Sequence, residues 1–351
     1  MELFACAHCA SALTRPVSRV RFPPYAHHQI GNGVQLPALL DLGNYAVDPD
    51  PFGPPWRPWG ELTDDEAEAR GYYAPVHHWV SDGTAGRILL APGDDIGTAL
   101  ILDRAGGACC GLTAHGGPNV ACARCGHPVG AREDDCSFWQ AVWLEPDAVR
   151  AVPAGPEPPV VEWTDVVHER FAVPPVDADG RWNHRCRQEI CVTVVDLIVA
   201  ADGAPVVFDD EEAAALFGRA LSHYVIGAEG LPKHCALYGP GRPPAARHPA
   251  LALVPRHPQT GRPWPTPPGV TGVPLDVEVW RCLAFPRTRS AVRVPGRLRA
   301  EIDRDDPPPP RRRGAVWFDS WLISDLLARH PAVRRPAVQA AHRVGDEFWW
   351  C

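Results

Sequence analysis

Lysine is almost missing from this chain: Lys233 stands alone against 33 arginines in 351 residues. There is one methionine, Met1, while proline and glycine number 41 and 31. This is the bias of a GC-rich bacterial coding sequence, so the arginine excess is not read as a nucleic-acid signal. Long apolar runs are also lacking. The longest, Ile190 to Ala201, is broken by Thr193 and Asp196 and is too short to span a bilayer. The opening residues show neither a basic segment nor a long apolar stretch. Together these absences predict a soluble, cytoplasmic protein with no membrane partner. A dinucleotide fingerprint, a P-loop, a nucleophile elbow and an HExxH pair are all missing. That weighs against the common nucleotide-dependent and hydrolase classes. Net positive charge is missing too: the formal charge is −8. Residues 1–150 carry 10 basic and 18 acidic side chains, and residues 151–351 carry 24 of each. An acidic first half is unsuited to gripping a phosphate backbone.

What is present is a globular composition, 45% apolar and 22% charged, in a chain long enough for two domains. The run Pro153-Ala154-Gly155-Pro156-Glu157-Pro158-Pro159 marks a boundary. It predicts a β-rich domain over 1–152, a linker over 153–159 and a mixed domain over 160–351. In the first half, apolar runs between turn signals predict strands near 74–80, 87–91 and 98–102. Thr63, with Glu66 three residues on, predicts a capped helix over 64–70. In the second half, Ile190 to Ala201 reads as a strand, Asp202-Gly203 as a hairpin turn and Pro205 to Phe208 as the return strand. A helix follows from about Asp209 to Ser222, and the Pro-rich stretch Gly239 to Gly269 reads as an irregular loop. Further on, Pro307 to Pro310 reads as a stiff connector and Ala315 to Phe318 as a strand, and Asp319 or Ser320 caps a helix ended by His330-Pro331. Strands and helices without regular βαβ alternation predict an α+β fold.

Two cysteine hooks are the sharpest motifs: Phe4-Ala5-Cys6-Ala7-His8-Cys9 and Val120-Ala121-Cys122-Ala123-Arg124-Cys125-Gly126. In a reducing compartment, paired CxxC spacing favours metal over disulfide. Each hook curls the backbone so that both sulfurs face inward, and two hooks supply a tetrahedral set of four thiolates. Cys6, Cys9, Cys122 and Cys125 are therefore the candidate ligands of a structural Zn2+. Four protein ligands leave no position for water, so such a metal holds structure and performs no chemistry. Gly126 suits the open backbone after the second hook, and Ala10 stands at the equivalent place in the first.

The hooks resemble the knuckles of zinc-ribbon and rubredoxin-like proteins, through Phe4, Cys6, Cys9 and Leu13 in one and Val120, Cys122, Cys125, Gly126 and Val129 in the other. The wide spacing, with 112 residues between Cys9 and Cys122, is similar to the β-tent folds of the Yippee and cereblon type. The resemblance implies that residues 10–121 are an insertion between knuckles, or a β domain whose ends the metal clips together.

Other residues carry weaker signals. Cys109, Cys110 and Cys136 flank the second hook; any of them could replace a ligand, Cys110 and Cys136 could help a second ion, or all could fill the core. His184, Cys186, Cys191, His223, His234 and Cys235 offer metal-ligand or nucleophile–base chemistry, with spacings that match no tight hook. Asp209-Asp210-Glu211-Glu212 is explained by a helix start and Asp177 to Gly180 by a turn, and His27-His28 and His77-His78 read as surface or partly buried residues. Thirteen tryptophans include Trp56, Trp59, Trp139 and Trp143, and the chain ends Phe348-Trp349-Trp350-Cys351. Such aromatics serve interfaces and cores alike. The segment 281–313 holds ten arginines and four acidic residues.

Three functional expectations follow. The first is a zinc-stabilised, non-catalytic binding or adaptor protein that engages a protein or small molecule through aromatic surfaces. The second is an enzyme using the His/Cys group of the second half. The third is a nucleic-acid-associated zinc ribbon using segment 281–313.

Overall fold

The structure, a computed structural model, describes residues 1–31, 33–105, 109–114, 117–168, 175–177, 180–225, 230–243, 247–285 and 318–347. The Pro307 to Pro310 run, residues 286–313 of the Arg-rich segment, residues 315–317 of an expected strand and the aromatic end 348–351 lie outside the described residues. Strands and helices both build the chain, a mixed α+β content. By contact it divides into two compact units: Met1–Gly71 with Pro75–Val160, and Tyr72–Ala74 with Val161–Cys351. Among the described residues no helix is long and apolar enough to cross a membrane.

The first unit is made mostly of strands: β1 (Glu2–Cys6), β2 (Ser18–Arg19), β3 (Asn44–Val47), β4 (Trp56–Arg57), β5 (Val80–Ser81), β6 (Ile88–Leu90), β7 (Thr98–Leu100), β8 (Val120–Cys122), β9 (Pro128–Glu133), β10 (Ala141–Leu144) and β11 (Val149–Pro153). Seven of them form a sheet in the order β2-β3-β6-β10-β9-β8-β7. Its centre is apolar on both faces: every residue of β6 and β10 is buried. β1 pairs antiparallel with β11, Glu2 opposite Pro153 and Cys6 opposite Val149. Phe4, Leu13, Tyr45, Leu90, Val129 and Leu144 share one core with Cys6 and Cys122. Helix α1 (Asp64–Ala69) begins as its capping box requires. The Glu66 amide donates to the Thr63 hydroxyl at 3.3 Å, and the Thr63 amide donates to the Glu66 carboxylate at 2.9 Å. Of the strand expected at 74–80 only Val80 is in a ladder, because Tyr72–Ala74 leaves to join the second unit. There the Tyr73 amide donates to the Ala328 carbonyl at 2.7 Å.

The second unit holds α2 (Trp163–His168), α3 (His184–Ala201), β12 (Val206–Phe208), α4 (Glu211–Tyr224), β13 (Lys233–Leu237), β14 (Leu251–Arg256), β15 (Thr271–Asp276), α5 (Val277–Ala284), α6 (Ser320–Ala328) and α7 (Pro336–Glu347). Its sheet runs β12-β13-β14-β15, every neighbour parallel.

Three expectations are corrected here. Ile190 to Ala201 is helix, within α3, and not a strand. From Ile190 to Ile198 every residue but Asp196 is buried, which an all-round buried helix achieves at full length. Asn183 caps that helix, accepting the Cys186 amide at 2.8 Å. Asp202 and Gly203 do take left-handed φ angles, 48° and 81°, but they stop a helix instead of turning a hairpin. β12 accordingly pairs in parallel with β13. The third correction concerns Gly239 to Gly269, which contains β14. β13 pairs with β14 only as far as Leu253, so Pro255 falls where one edge of the strand has no ladder to lose.

Candidate metal centre

The two CxxC hooks end two strands, β1 at Cys6 and β8 at Cys122. They fold alike. The Ala10 amide donates to the Cys6 carbonyl at 2.9 Å, and the Gly126 amide to the Cys122 carbonyl at 2.8 Å. The Cys6 amide donates to Ser11, and the Cys122 amide to His127, at 2.9 and 2.8 Å. The residue after each second cysteine is left-handed: Ala10 has φ 58° and Gly126 φ 73°. The turn demands that conformation even where the residue is alanine.

The four sulfurs converge. Cys6 Sγ lies 3.8 Å from Cys125 Sγ, and Cys9 Sγ lies 3.6 Å from Cys122 Sγ. All four lie within 4.8 Å of one another. A tetrahedron of sulfurs about 2.3 Å from its centre has edges of about 3.8 Å. A disulfide would bring two sulfurs to about 2.05 Å, and all four cysteines are free thiols. The spacing is that of a cluster able to hold a metal ion.

Backbone donors surround the sulfurs. Amides of Cys125 and Arg124 point at the Cys122 sulfur and that of His127 at Cys125. Burial pushes the Cys122 thiol up, but those amides and the thiols of Cys9 and Cys125 outweigh it and bring it to about 7. The His127 amide pulls the Cys125 thiol down, but desolvation and donation to Cys9, Cys122 and Cys6 carry it to about 12. Metal ligation requires thiolates, and a bound cation would favour that form. Cys6 and Cys122 are buried in the unit's core, Cys9 is half-buried and Cys125 faces solvent. The His8 and His127 rings stack at 5.4 Å, one from each hook.

Gly97 fastens the hooks together, and sequence reasoning overlooked it. Its amide donates to the Leu13 carbonyl at 2.8 Å beside the first hook, and its carbonyl accepts the Ala123 amide at 2.9 Å inside the second. A Cβ on Gly97 would stand 2.0 Å from the Ala12 carbonyl oxygen. A lone glycine in Asp95-Ile96-Gly97-Thr98 gives no sign of that approach.

The remaining candidates separate. Cys109, Cys110 and Cys136 form a second group with ligand atoms within 4.8 Å. The His/Cys residues of the second half go to different partners. Cys186 is buried beside Asp276 and Glu278. His234 Nδ1 pairs with Asp209 at 3.0 Å. His223 packs against Tyr224, and the buried His184 Nδ1 has no hydrogen-bond partner. Burial pushes the Cys191 and Cys235 thiols up to about 12. These are poor nucleophiles. Asp210 holds the Leu237 amide and Arg242, at 2.8 and 2.6 Å, so it does more than complement a helix dipole.

His27 is partly buried, as expected, but it has a defined partner. Its Nε2 meets the fully buried Asp48 carboxylate at 2.6 Å. Its ring is stacked on Phe52 at 3.6 Å and on Trp143 at 4.9 Å. Trp56 meets the edge of Phe52 at 5.4 Å and is 41% exposed. β4 pairs with β5, Arg57 opposite Val80, which brings Trp56 and the 58% exposed Trp79 to one ribbon.

Comparison with known protein families, with curated proteins and with solved structures found no match for this chain.

Proposed function

We propose that the protein is a non-catalytic binding or adaptor protein whose first unit is held together by one structural Zn2+. Cys6, Cys9, Cys122 and Cys125 would be its ligands, and the ribbon of Trp56 and Trp79 would meet a protein or small-molecule partner. The observation that carries this reading is the closed set of four sulfurs at tetrahedral spacing, set by two turns of the same hydrogen-bond pattern. It agrees with the likeness of the hooks to zinc-ribbon knuckles. A full thiolate shell supplies folding free energy and offers no open position for a reacting group. Exposed tryptophans, with Trp56 set against the edge of Phe52, provide large contact area at low entropic cost.

Metal analysis of the untagged protein tests the first part. One zinc retained at this site, lost together with the fold of the first unit in a Cys122→Ser, Cys125→Ser variant, supports it. Zinc content unaffected by that variant overturns it. Affinity capture from the protein's own cells tests the second part. A partner bound by the wild type and lost with Trp56→Ala and Trp79→Ala supports the binding face, and undiminished capture refutes it.

A further inference from the structure

A second cysteine cluster in the first unit uses none of the hook cysteines, and its surroundings are built. Asp135 ties down the Cys109-Cys110 turn: its carboxylate accepts the Cys109 amide at 3.2 Å and the Cys110 amide at 2.7 Å. The turn then pairs with the chain before Cys136. The Leu112 amide donates to the Asp134 carboxylate at 2.7 Å, and the Leu112 carbonyl accepts the Asp134 and Asp135 amides at 3.1 Å each. Gly111 lies so close that a Cβ would stand 2.5 Å from the Asp134 carbonyl oxygen. Below it the buried Asn119 side chain binds the Thr113 carbonyl at 3.1 Å and both backbone groups of Arg132 at 2.9 and 2.7 Å. Three cysteines are therefore delivered by a fixed backbone.

Donors are aimed at the sulfurs themselves. Gln35 Nε2 donates to Cys110 Sγ at 3.2 Å. The Cys136 amide donates to the Cys110 sulfur, and the Gly33 amide to the Cys136 sulfur. These N–H groups position the sulfurs for ligation, while the Asp135 carboxylate holds the Cys110 thiol up, to about 11.

We infer that Cys109, Cys110 and Cys136 form a second cation site, distinct from the four-cysteine centre, which takes a thiophilic divalent cation such as Zn2+ through three thiolates and leaves its fourth position open. Three sulfurs about 2.3 Å from a shared ion are about 3.8–4.0 Å apart. Those present already lie within 4.8 Å, so little movement closes the shell. Asp135 adds negative charge beside the site, which favours a divalent over a monovalent thiophilic ion, while Asp134 is paired with Arg132 at 3.2 Å. Asp135, whose two oxygens hold the two amides of the turn, is assigned as a positioning residue. Cys136 is buried while Cys109 and Cys110 face solvent, so water or an incoming thiol completes the shell. Binding replaces three S–H protons with three metal–sulfur bonds and releases the protons to solvent, without oxidant or reductant. An open, exposed site exchanges its ion faster than a closed one.

Zinc content and zinc release to a coloured chelator test this on the full chain. Two zincs per chain are expected, one leaving in a fast phase and one in a slow phase. Cys110→Ser and, separately, Cys109→Ser should each remove one zinc and the fast phase, with the circular dichroism and the slow phase unchanged. Because Cys109 and Cys110 are exposed, these variants probe the site without touching the core. A wild type that shows no fast-releasing zinc after equilibration with two equivalents overturns the inference. So does a fast phase that survives both variants. A Cys110–Cys136 disulfide in protein purified without reductant, with no second zinc after its reduction, overturns it in favour of a thiol pair. Loss of the slow phase alone would count against the four-cysteine reading and leave this one standing.

Discussion

Ala10 and Gly126 occupy the same place in two turns of the same pattern, both left-handed, with φ 58° and 73°. Exchanging them isolates the backbone cost of the knuckle. A left-handed conformation costs an L-residue with a side chain roughly 1–2 kcal/mol. Alanine recovers about 0.4–1 kcal/mol of this by restricting the unfolded chain. Gly126 has nothing within 4 Å of a built Cβ, so Gly126→Ala adds neither clash nor packing. Its net cost should be about 0.5–1 kcal/mol. Ala10 is exposed, so Ala10→Gly loses little burial and should stabilise by the same amount. For a unit of this size that is a shift of about 1–4 °C in opposite directions. Calorimetry of zinc-loaded protein, following the transition that a chelator moves, reads both values. The double exchange should return close to wild type. If Ala10→Gly lowers the transition as much as Gly126→Ala does, the two turns do not share a backbone and the reasoning fails.

Gly97→Ala should be far more damaging than Gly126→Ala, by about 3 kcal/mol or more, because the added methyl meets backbone that cannot rotate away. Its signature is faster zinc loss from the four-cysteine centre, measured by chelator competition; unchanged retention would refute Gly97 as the fastener. In the second unit, burial first and Arg335 second hold His330 below its ordinary value, and its Nδ1 accepts the Ala332 amide at 3.1 Å. Only the unfolded chain then takes up a proton near the ordinary histidine value of 6.5. The stability it provides is complete above that pH and is lost as pH falls toward the lower folded value. Urea titrations at several pH values should show this loss, and a His330→Asn variant that declines with the same slope would refute it.

How much of this could be read from the chain depended on whether the signal was local. The capping box of Thr63 and Glu66, the Asp319 cap and both CxxC hooks are local devices, and the structure contains each of them. The helix over Ile190 to Ala201 was hidden by its β-branched residues, whose weak helix propensity is overridden by burial on every side. Twelve residues was long for a strand, and length was the clue available. Asp202-Gly203 shows the limit of turn motifs: two left-handed residues serve a hairpin or a helix end equally well. Nothing in sequence marked the parallel sheet, since Pro255 and Pro274 sit inside its strands. Gly97 and the His27–Asp48 pair depend on contacts between distant segments, which no periodicity encodes, whereas Cys110 and Cys136 were legible as a pair by residue type and only the addition of Cys109 needed the fold.

The pairing of β1 with β11 has a consequence for the order in which the protein is made. The first strand waits for a partner about one unit's length downstream, Glu2 for Pro153. Cys6 and Cys9 leave the ribosome with no second hook to meet. At about 5–20 residues per second the 112 intervening residues take roughly 6–20 seconds to appear. Closing a loop of that length costs about 4 kcal/mol in chain entropy. Until Cys125 emerges, the nascent chain exposes two thiols and an unpaired apolar strand. If the four cysteines hold a metal, its capture and the closing of the first sheet ribbon would fall together, at the end of this unit's synthesis.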